Sequence, residues 1–264
     1  MTTNLRKERG ASSPQGPEAA AVDAGPTGTG SRATMVLGAV TLAALALWMF
    51  LGLVATPEDE VQGTAVRLLY VHVPVVTVAY LSCFITSGAS AMWLWKKSQG
   101  WDLLASAAGE VATVFTAATL LSGAIWGGAA WGAFWVWDAR LTSTAMLFLL
   151  LLGYLAIRRI PASSDVRARR SSIIGLLLVP NIFIINRSVE WWRSLHQDPT
   201  LFQASISPKI HGIMFFTLFY SLLVGLLVFT WLLIHRFRLA YLQDQVDDRG
   251  LADAIEERRA EAGS

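Results

Sequence analysis

Six long apolar stretches, separated by short polar segments, occupy the chain from residue 35 to residue 234. Five of them, at residues 35–55, 71–95, 103–125, 141–157 and 210–234, carry at most one Asp, Glu, Lys, Arg or His residue each. Runs of about 20 apolar residues match the hydrocarbon core of a bilayer, which is about 30 Å thick. The pattern therefore predicts an all-α membrane protein built from transmembrane helices.

The stretch at residues 171–186 is the weakest, because it is short and is interrupted by Pro180 and Asn181. The basic residues decide whether it spans, since Lys and Arg accumulate on the cytoplasmic side of a membrane. With six spans, eleven basic residues fall on one face of the membrane and five on the other. With five spans, the basic group near the C-terminus would move to the face that has fewer basic residues. This bias predicts a polytopic protein with six transmembrane helices and both termini cytoplasmic.

The apolar block divides the chain into three segments. Residues 1–33 are rich in Gly, Pro, Ala, Ser and Thr, which predicts a disordered cytoplasmic tail. Residues 34–240 form the six-helix transmembrane domain, and residues 241–264 form a charged cytoplasmic C-terminal tail. The first apolar run is span-length and lies far from the N-terminal basic residues, which argues against a cleavable signal peptide.

Composition agrees with a membrane protein and limits its chemistry. Hydrophobic residues make up 54% of the 264 positions and charged residues only 15%, too few to cover a water-soluble surface. The single cysteine, Cys83, cannot form an intramolecular disulfide or a thiol-exchange pair. The sequence contains no GxxxxGK[ST] phosphate loop, so we expect no ATPase in this chain.

Four of the eleven tryptophans lie within twelve residues of one loop between two predicted spans. They are Trp126, Trp131, Trp135 and Trp137. An interfacial aromatic belt accounts for one or two tryptophans at each helix end, but not for four. Indole rings offer rigid apolar faces, so this segment predicts stacking with a planar conjugated ligand.

The same loop holds residues suited to frame such a ligand. Gly127, Gly128 and Gly132 would let the backbone approach a flat molecule. Arg140 could pair with an anionic group of the ligand. Asp138 could either hold Arg140 or cap the helix that begins near residue 141.

Two histidines flank the tryptophan segment on the same predicted face. His72 lies two residues before Pro74, a residue tolerated in the first turn of a helix, and His196 follows the pair Trp191 and Trp192. A single interfacial histidine is usually a packing residue. Two of them beside a tryptophan platform favour ligation of haem iron, for which neutral imidazole is a common ligand.

The remaining ionisable residues within the spans are ranked lower. His211 starts the last span and is a third candidate, whereas interaction with a helix C-terminus is enough to explain His235. Glu110 lies inside a span, where a charge is costly, so it is either functional or else neutral or hydrated.

Three segments resemble one family of haem-handling membrane proteins, the cytochrome c maturation protein C family, also called haem exporter protein C. Residues 131–142 (WGAFWVWDARLT) resemble its core motif, and residues 67–74 (RLLYVHVP) and 188–197 (SVEWWRSLHQ) resemble its two histidine-bearing loops. The resemblance covers about residues 35–240.

This resemblance implies a function that the residues alone do not. Family members hold haem b at the external face of the bacterial inner membrane and load it onto a haem chaperone, the cytochrome c maturation protein E. They associate with a small membrane protein (protein D) and with the ATPase and permease components of an ABC transporter (proteins A and B). We therefore expect a multi-pass, haem-binding component of the cell membrane that is not an enzyme and has no nucleic-acid partner.

The resemblance also implies roles for individual residues. His72 and His196 would be the two axial ligands of the haem iron. The platform around them would be formed by Trp126, Trp131, Trp135, Trp137, Asp138, Arg140, Trp191 and Trp192.

Two other functions remain as alternatives. A haem permease should carry polar groups through the middle of several spans, but Glu110 and Asn181 are nearly the only ones. A membrane redox protein with haem b usually has histidines facing one another inside helices, whereas His72 and His196 flank loops.

Overall fold

The computed structural model of the chain describes residues 28–192, 194–196 and 212–262. The described residues form seven α-helices. They are α1 (Arg32–Phe50), α2 (Leu69–Lys96), α3 (Gln99–Trp131), α4 (Ala139–Arg158), α5 (Ser164–Leu176), α6 (Leu178–Trp191) and α7 (Gly212–Ala262). One π-helical turn, Leu51–Ala55, extends α1, and a 3-10 helix, Thr64–Leu68, leads into α2.

Six helical segments of the described chain are long and apolar enough to cross a membrane, which confirms the six-span prediction. The fifth span, Ser164–Trp191, consists of α5 and α6 together. Pro180 has no N–H to donate to the carbonyl of Leu176, so the regular helix is interrupted there. The N–H of Leu177 instead donates to the carbonyl of Ile174 over 2.9 Å. The proline therefore breaks the helix within a span and does not end the span.

Two long helices, α2 and α3, form the centre of the bundle, and α3 is the most buried span. Its buried face is made of small residues such as Ala105, Ala108 and Ala112. At Gly109, a Cβ atom would lie 2.6 Å from the ring of Tyr154 on α4. Small residues of this kind let transmembrane helices approach closely.

The antiparallel helices gather the chemically distinctive residues at two ends. The histidine end is defined by His72 in α2, Trp126 in α3, Asp138 before α4 and His196 after α6. The basic end, opposite to it, is defined by Lys96, Arg158, Arg159 and Arg236.

Ion pairs near the basic end join three helices. Arg158 on α4 donates two hydrogen bonds to the buried carboxylate of Asp102 on α3, of 2.6 and 2.8 Å. Glu110, farther along α3, forms an ion pair with Arg236 on α7. The sequence left the role of Glu110 open, and the structure gives its carboxylate a cationic partner. Removing one member of a buried pair leaves an uncompensated charge, so the Asp102–Arg158 pair constrains how α3 and α4 pack, while the more exposed Glu110–Arg236 pair links α3 to α7.

The first helix packs mainly against the last. The hydroxyl of Tyr220 on α7 donates to the carbonyl of Ala44, and the indole N–H of Trp231 donates to the carbonyl of Thr34, each over 3.2 Å. The helix α7 continues without a break to Ala262, so the charged C-terminal segment extends the last span. Residues 1–27 and His211 lie outside the described residues, and predictions about them stay predictions.

Candidate functional site

The tryptophan segment turns sharply between α3 and α4. The helix α3 ends at Trp131, and Gly132 follows with a φ of +73°, a left-handed conformation that favours glycine. The sequence predicts that Gly127 and Gly128 let the backbone approach a flat ligand. Both lie within α3, where a Cβ on Gly128 would lie 2.7 Å from the ring of Phe134. These glycines therefore make room for the loop itself.

Asp138 joins three parts of the histidine end. Its Oδ1 accepts a 2.7 Å hydrogen bond from the N–H of Leu141, which confirms the predicted helix cap. Its Oδ2 lies 2.7 Å from Nδ1 of His196 and accepts a 2.7 Å hydrogen bond from the hydroxyl of Ser194. Burial alone would raise the pKa of this carboxyl, but the three hydrogen bonds keep its pKa below the usual value. At neutral pH Asp138 is therefore an ionised acceptor.

The hydrogen bond to Asp138 defines the proton position on His196. Burial lowers the pKa of this imidazole below 6.5, and this effect outweighs the opposing influence of the Asp138 carboxylate. The positive charge of Arg140 lowers the pKa further. A neutral imidazole carries one proton, and the ionised carboxylate can only accept, so the proton is on Nδ1. The lone pair of Nε2 is then available to a ligand.

The backbone around His72 differs in detail from the sequence expectation. The helix α2 begins at Leu69, so His72 lies in its first turn and Pro74 lies beyond that turn. Because Pro74 has no N–H, the carbonyl of Tyr70 loses its helical donor. That carbonyl accepts a 3.2 Å hydrogen bond from the indole N–H of Trp48 on α1. The proline is thus accommodated inside the helix by a side chain from the neighbouring span.

Ser122 on α3 orients the imidazole of His72. The Nδ1 atom of His72 lies 2.9 Å from the hydroxyl oxygen of Ser122, whose own hydrogen is directed to the carbonyl of Ala118 at 2.7 Å. Since that hydrogen is already used, the hydroxyl accepts from Nδ1–H and again leaves Nε2 free. A Cβ on Gly123 would come within 3.1 Å of Cε1 of His72, so glycine provides the space for the ring.

Each imidazole has an indole ring against it. Trp126 meets His72 edge to face with ring centroids 5.7 Å apart, and its indole N–H donates to the side chain of Gln62 over 2.9 Å. Trp131 meets His196 in the same manner, with centroids 4.8 Å apart.

The other four tryptophans named from the sequence form two exposed pairs. The rings of Trp135 and Trp137 meet edge to face at 5.4 Å. Those of Trp191 and Trp192 meet at 5.7 Å, and Trp191 also contacts Phe183. All four side chains are accessible at the surface of the chain, where they can contact a ligand, lipid or another protein.

Two arginines supply positive charge at the histidine end. Arg140 lies in the first turn of α4, half-buried and near His196. Arg67 lies in the 3-10 helix before α2, and its buried Nε atom has no hydrogen-bond partner within the described parts of the chain. Both are suited to an anionic group, because guanidinium groups bind carboxylates with paired donors.

Sequence reasoning missed three polar partners at this end: Ser122 beside His72, Ser194 beside His196, and Gln62, which accepts from the indole N–H of Trp126. One signal existed, because Ser122 lies four residues before Trp126 and therefore on the same face of α3. Nothing in the sequence pairs that face with His72, which is 50 positions away.

Comparison with known proteins agrees with the motifs of the tryptophan segment. The family model described as Heme exporter protein C matches residues 26–251. The Heme exporter protein C of Haemophilus influenzae is 33% identical over 208 residues, which is 78% of this chain and 83% of the relative. That of Paracoccus denitrificans is 34% identical over 195 residues, or 73% and 78% of the two chains. That of Escherichia coli K12 is 35% identical over 172 residues, or 64% and 69%. The match extends from the residues before α1 well into α7, and the chain belongs to the Heme exporter protein C family.

Proposed function

We propose that the chain is a haem-binding membrane protein that holds haem b at the histidine end and presents it to a haem chaperone for the maturation of c-type cytochromes. The observation that carries this proposal is the matched pair of imidazoles. Each directs Nδ1–H to an acceptor, each keeps Nε2 free, and each packs against an indole ring. The name of the matching family, Heme exporter protein C, supports haem as the cargo.

In this proposal His72 and His196 bind the iron through their Nε2 atoms. A second partner on the other ring nitrogen is typical of metal-binding histidines, because it fixes the tautomer and the ring orientation. Ser122 and Asp138 supply those partners. Two protein ligands leave no open position on the iron, which suits holding and transfer and disfavours oxygen activation. We therefore propose a carrier and not an enzyme.

The aromatic and basic residues would hold the macrocycle and the propionates of the haem. Trp126 and Trp131, which contact the imidazoles, would line the two sides of the macrocycle. Arg140 and Arg67 would pair with the propionate carboxylates. The exposed tryptophans would cover the macrocycle edge or contact the partner that receives it; they are Trp135, Trp137, Trp191 and Trp192.

The orientation and partners follow from charge and family membership. The positive-inside bias supports a cytoplasmic position for the basic end and both termini, so the histidine end would face outward from the bacterial inner membrane. The receiving chaperone would be the cytochrome c maturation protein E. The membrane partners would be the small protein D and the ABC transporter formed by proteins A and B. A separate ATPase agrees with the absence of a phosphate loop in this sequence.

The position of the ionic residues favours a carrier over a haem permease. The ion pairs Asp102–Arg158 and Glu110–Arg236 both lie toward the basic end, away from the histidines. Transport of haem into liposomes by the purified chain, without its partner proteins, would favour the permease instead.

The proposal is tested by replacing both His72 and His196 with alanine. We expect the purified double variant to lose haem absorption. The matched control is His235→Ala, because His235 also packs edge to face against a tryptophan, Trp231, but at the basic end. Full haem retention by the double variant, or equal loss in the control, would contradict the ligand assignment.

A further inference from the structure

A cavity of about 670 Å³ opens at the basic end, between α3, α4, α5 and α7. Its inner part is apolar and includes Val111, Phe115 and Leu232. On α3 its lining runs from Leu103 to Phe115, which is about 18 Å along a helix axis at 1.5 Å per residue. The cavity is thus long and apolar inside, and it lies at the opposite end from the two histidines.

The mouth of the cavity carries separate positive and negative walls. Two of its lining arginines, Arg158 and Arg236, are neutralised by the ion pairs described above. Two more, Arg159 and Arg167, have no carboxylate partner within the described ranges, and Nε of Arg167 is buried without a hydrogen bond. These two form the arginine wall.

The opposite wall is acidic and belongs to α7. Asp244 and Asp247 line it, and one carboxylate oxygen of Asp244 accepts a 2.7 Å hydrogen bond from the side chain of Gln99. Neither carboxylate has a cationic partner within the described parts of the chain. They form the aspartate wall.

We propose that this cavity binds a phospholipid whose head group contains both a phosphate and a primary ammonium group, as in phosphatidylethanolamine. Arginine donates paired hydrogen bonds to phosphate oxygens, and an ammonium group offers three donors to carboxylates. Basic pockets between transmembrane helices are typical sites for phospholipid head groups. An acyl chain fits the apolar part beside Phe115, and the volume is within the usual range for ligand pockets.

The two walls make the cavity selective for one kind of head group. A purely anionic head group would satisfy the arginine wall but repel the aspartate wall. A choline head group has a cation without N–H donors and cannot hydrogen-bond to the carboxylates. The inference is independent of haem binding, since none of these residues contacts the histidine end.

The experiment measures which lipid stays with the protein. The full-length chain is reconstituted in vesicles of equal parts phosphatidylethanolamine, phosphatidylglycerol and phosphatidylcholine, extracted in mild detergent, washed, and analysed for retained lipid by mass spectrometry. We expect phosphatidylethanolamine to be enriched several-fold over the other two. Equal retention of all three, or enrichment of phosphatidylglycerol, would overturn the proposal.

Variants of each wall separate the two contacts. Arg159→Ala with Arg167→Ala should lose the enrichment, and Asp244→Asn with Asp247→Asn should shift the preference toward phosphatidylglycerol.

The matched control removes the same charge from exposed arginines of α5, as Arg169→Ala with Arg170→Ala. An equal loss in this control would show that total charge and not the cavity decides, and would refute the proposal. If the double arginine variant does not fold, Arg159→Lys with Arg167→Lys keeps the charge, and undiminished enrichment would exclude paired donation from these arginines.

Discussion

Replacing Asp138 by asparagine changes one atom at the point where the loop, α4 and His196 meet. Asparagine is as good a helix cap as aspartate, so its oxygen can keep the hydrogen bond from the N–H of Leu141. Its amide nitrogen then faces His196 in place of Oδ2. That nitrogen donates, so Nδ1 of His196 must become the acceptor and the proton moves to Nε2. The atom proposed to bind iron is then blocked.

The expected magnitude follows from the partners that Asp138 has. Loss of the partner of a metal-binding histidine typically lowers metal affinity by about 10- to 100-fold. This corresponds to about 1.4 to 2.8 kcal/mol of binding free energy. The fold should change little, because the cap of α4 is preserved and the residue volume is nearly the same. Haem affinity should therefore fall while thermal stability stays close to that of the wild type.

The assay is titration of haem-free protein in detergent with haem, followed by absorbance, alongside thermal unfolding of the same samples. Ser194→Ala is the control, because it removes a 2.7 Å hydrogen bond to the same carboxylate oxygen without changing the charge or the tautomer of His196. We expect this control to change the affinity by no more than a few-fold.

If the Asp138→Asn variant binds haem with wild-type affinity and an unchanged spectrum, then Asp138 does not set the ligand atom of His196. If the two variants lose affinity equally, the carboxylate acts through general packing and not through the tautomer.

Three further predictions concern the other contacts. Ser122→Ala removes the hydrogen-bond acceptor of the His72 imidazole. The lost neutral hydrogen bond, worth about 1 kcal/mol, should weaken haem binding about five-fold in the same titration. Unchanged affinity would show that the Ser122 hydroxyl does not hold the ring. Gly123→Ala places a methyl group near Cε1 of His72 and should reduce haem retention without lowering the α-helical circular dichroism, whereas full retention would show that the ring has room to shift. Asp102→Asn breaks the buried pair with Arg158 and should lower the free energy of unfolding by about 3 to 5 kcal/mol, measured as a drop in thermal stability; a wild-type unfolding temperature would contradict the buried pair.

The spans could be predicted from the sequence, because length and hydropathy are properties of each segment alone. The weak fifth span was retained on charge bias, and the structure explains its weakness through Pro180, which interrupts the helix without ending the span. The exact start of α2 was not predictable, because Pro74 is accommodated by an indole from α1. That contact depends on the packing of two helices and not on the local sequence.

The candidate site could also be predicted from the sequence only in part. His196 is recognisable because it follows the pair Trp191 and Trp192 in the chain, and His72 because the predicted topology puts it on the same face as the tryptophan segment. Their hydrogen-bond partners could not be assigned, since Ser122 is 50 positions from His72, and the capping residue Asp138 is 58 positions from His196. The helix cap formed by Asp138 could be predicted from the sequence, because it joins residues only three positions apart.

The pairing of α1 with α7 sets an order for biogenesis. The ribosome makes α1 first, but its main neighbour begins only at Gly212, about 160 residues later, or roughly 8 to 30 seconds at ordinary synthesis rates. During that interval the face of α1 that later meets α7 is exposed to lipid, and the carbonyls of Thr34 and Ala44 lack their later donors on α7. The bundle therefore closes only after the last span has been inserted, and a chain truncated before α7 would hold its first helix mainly through the contact of Trp48 with α2.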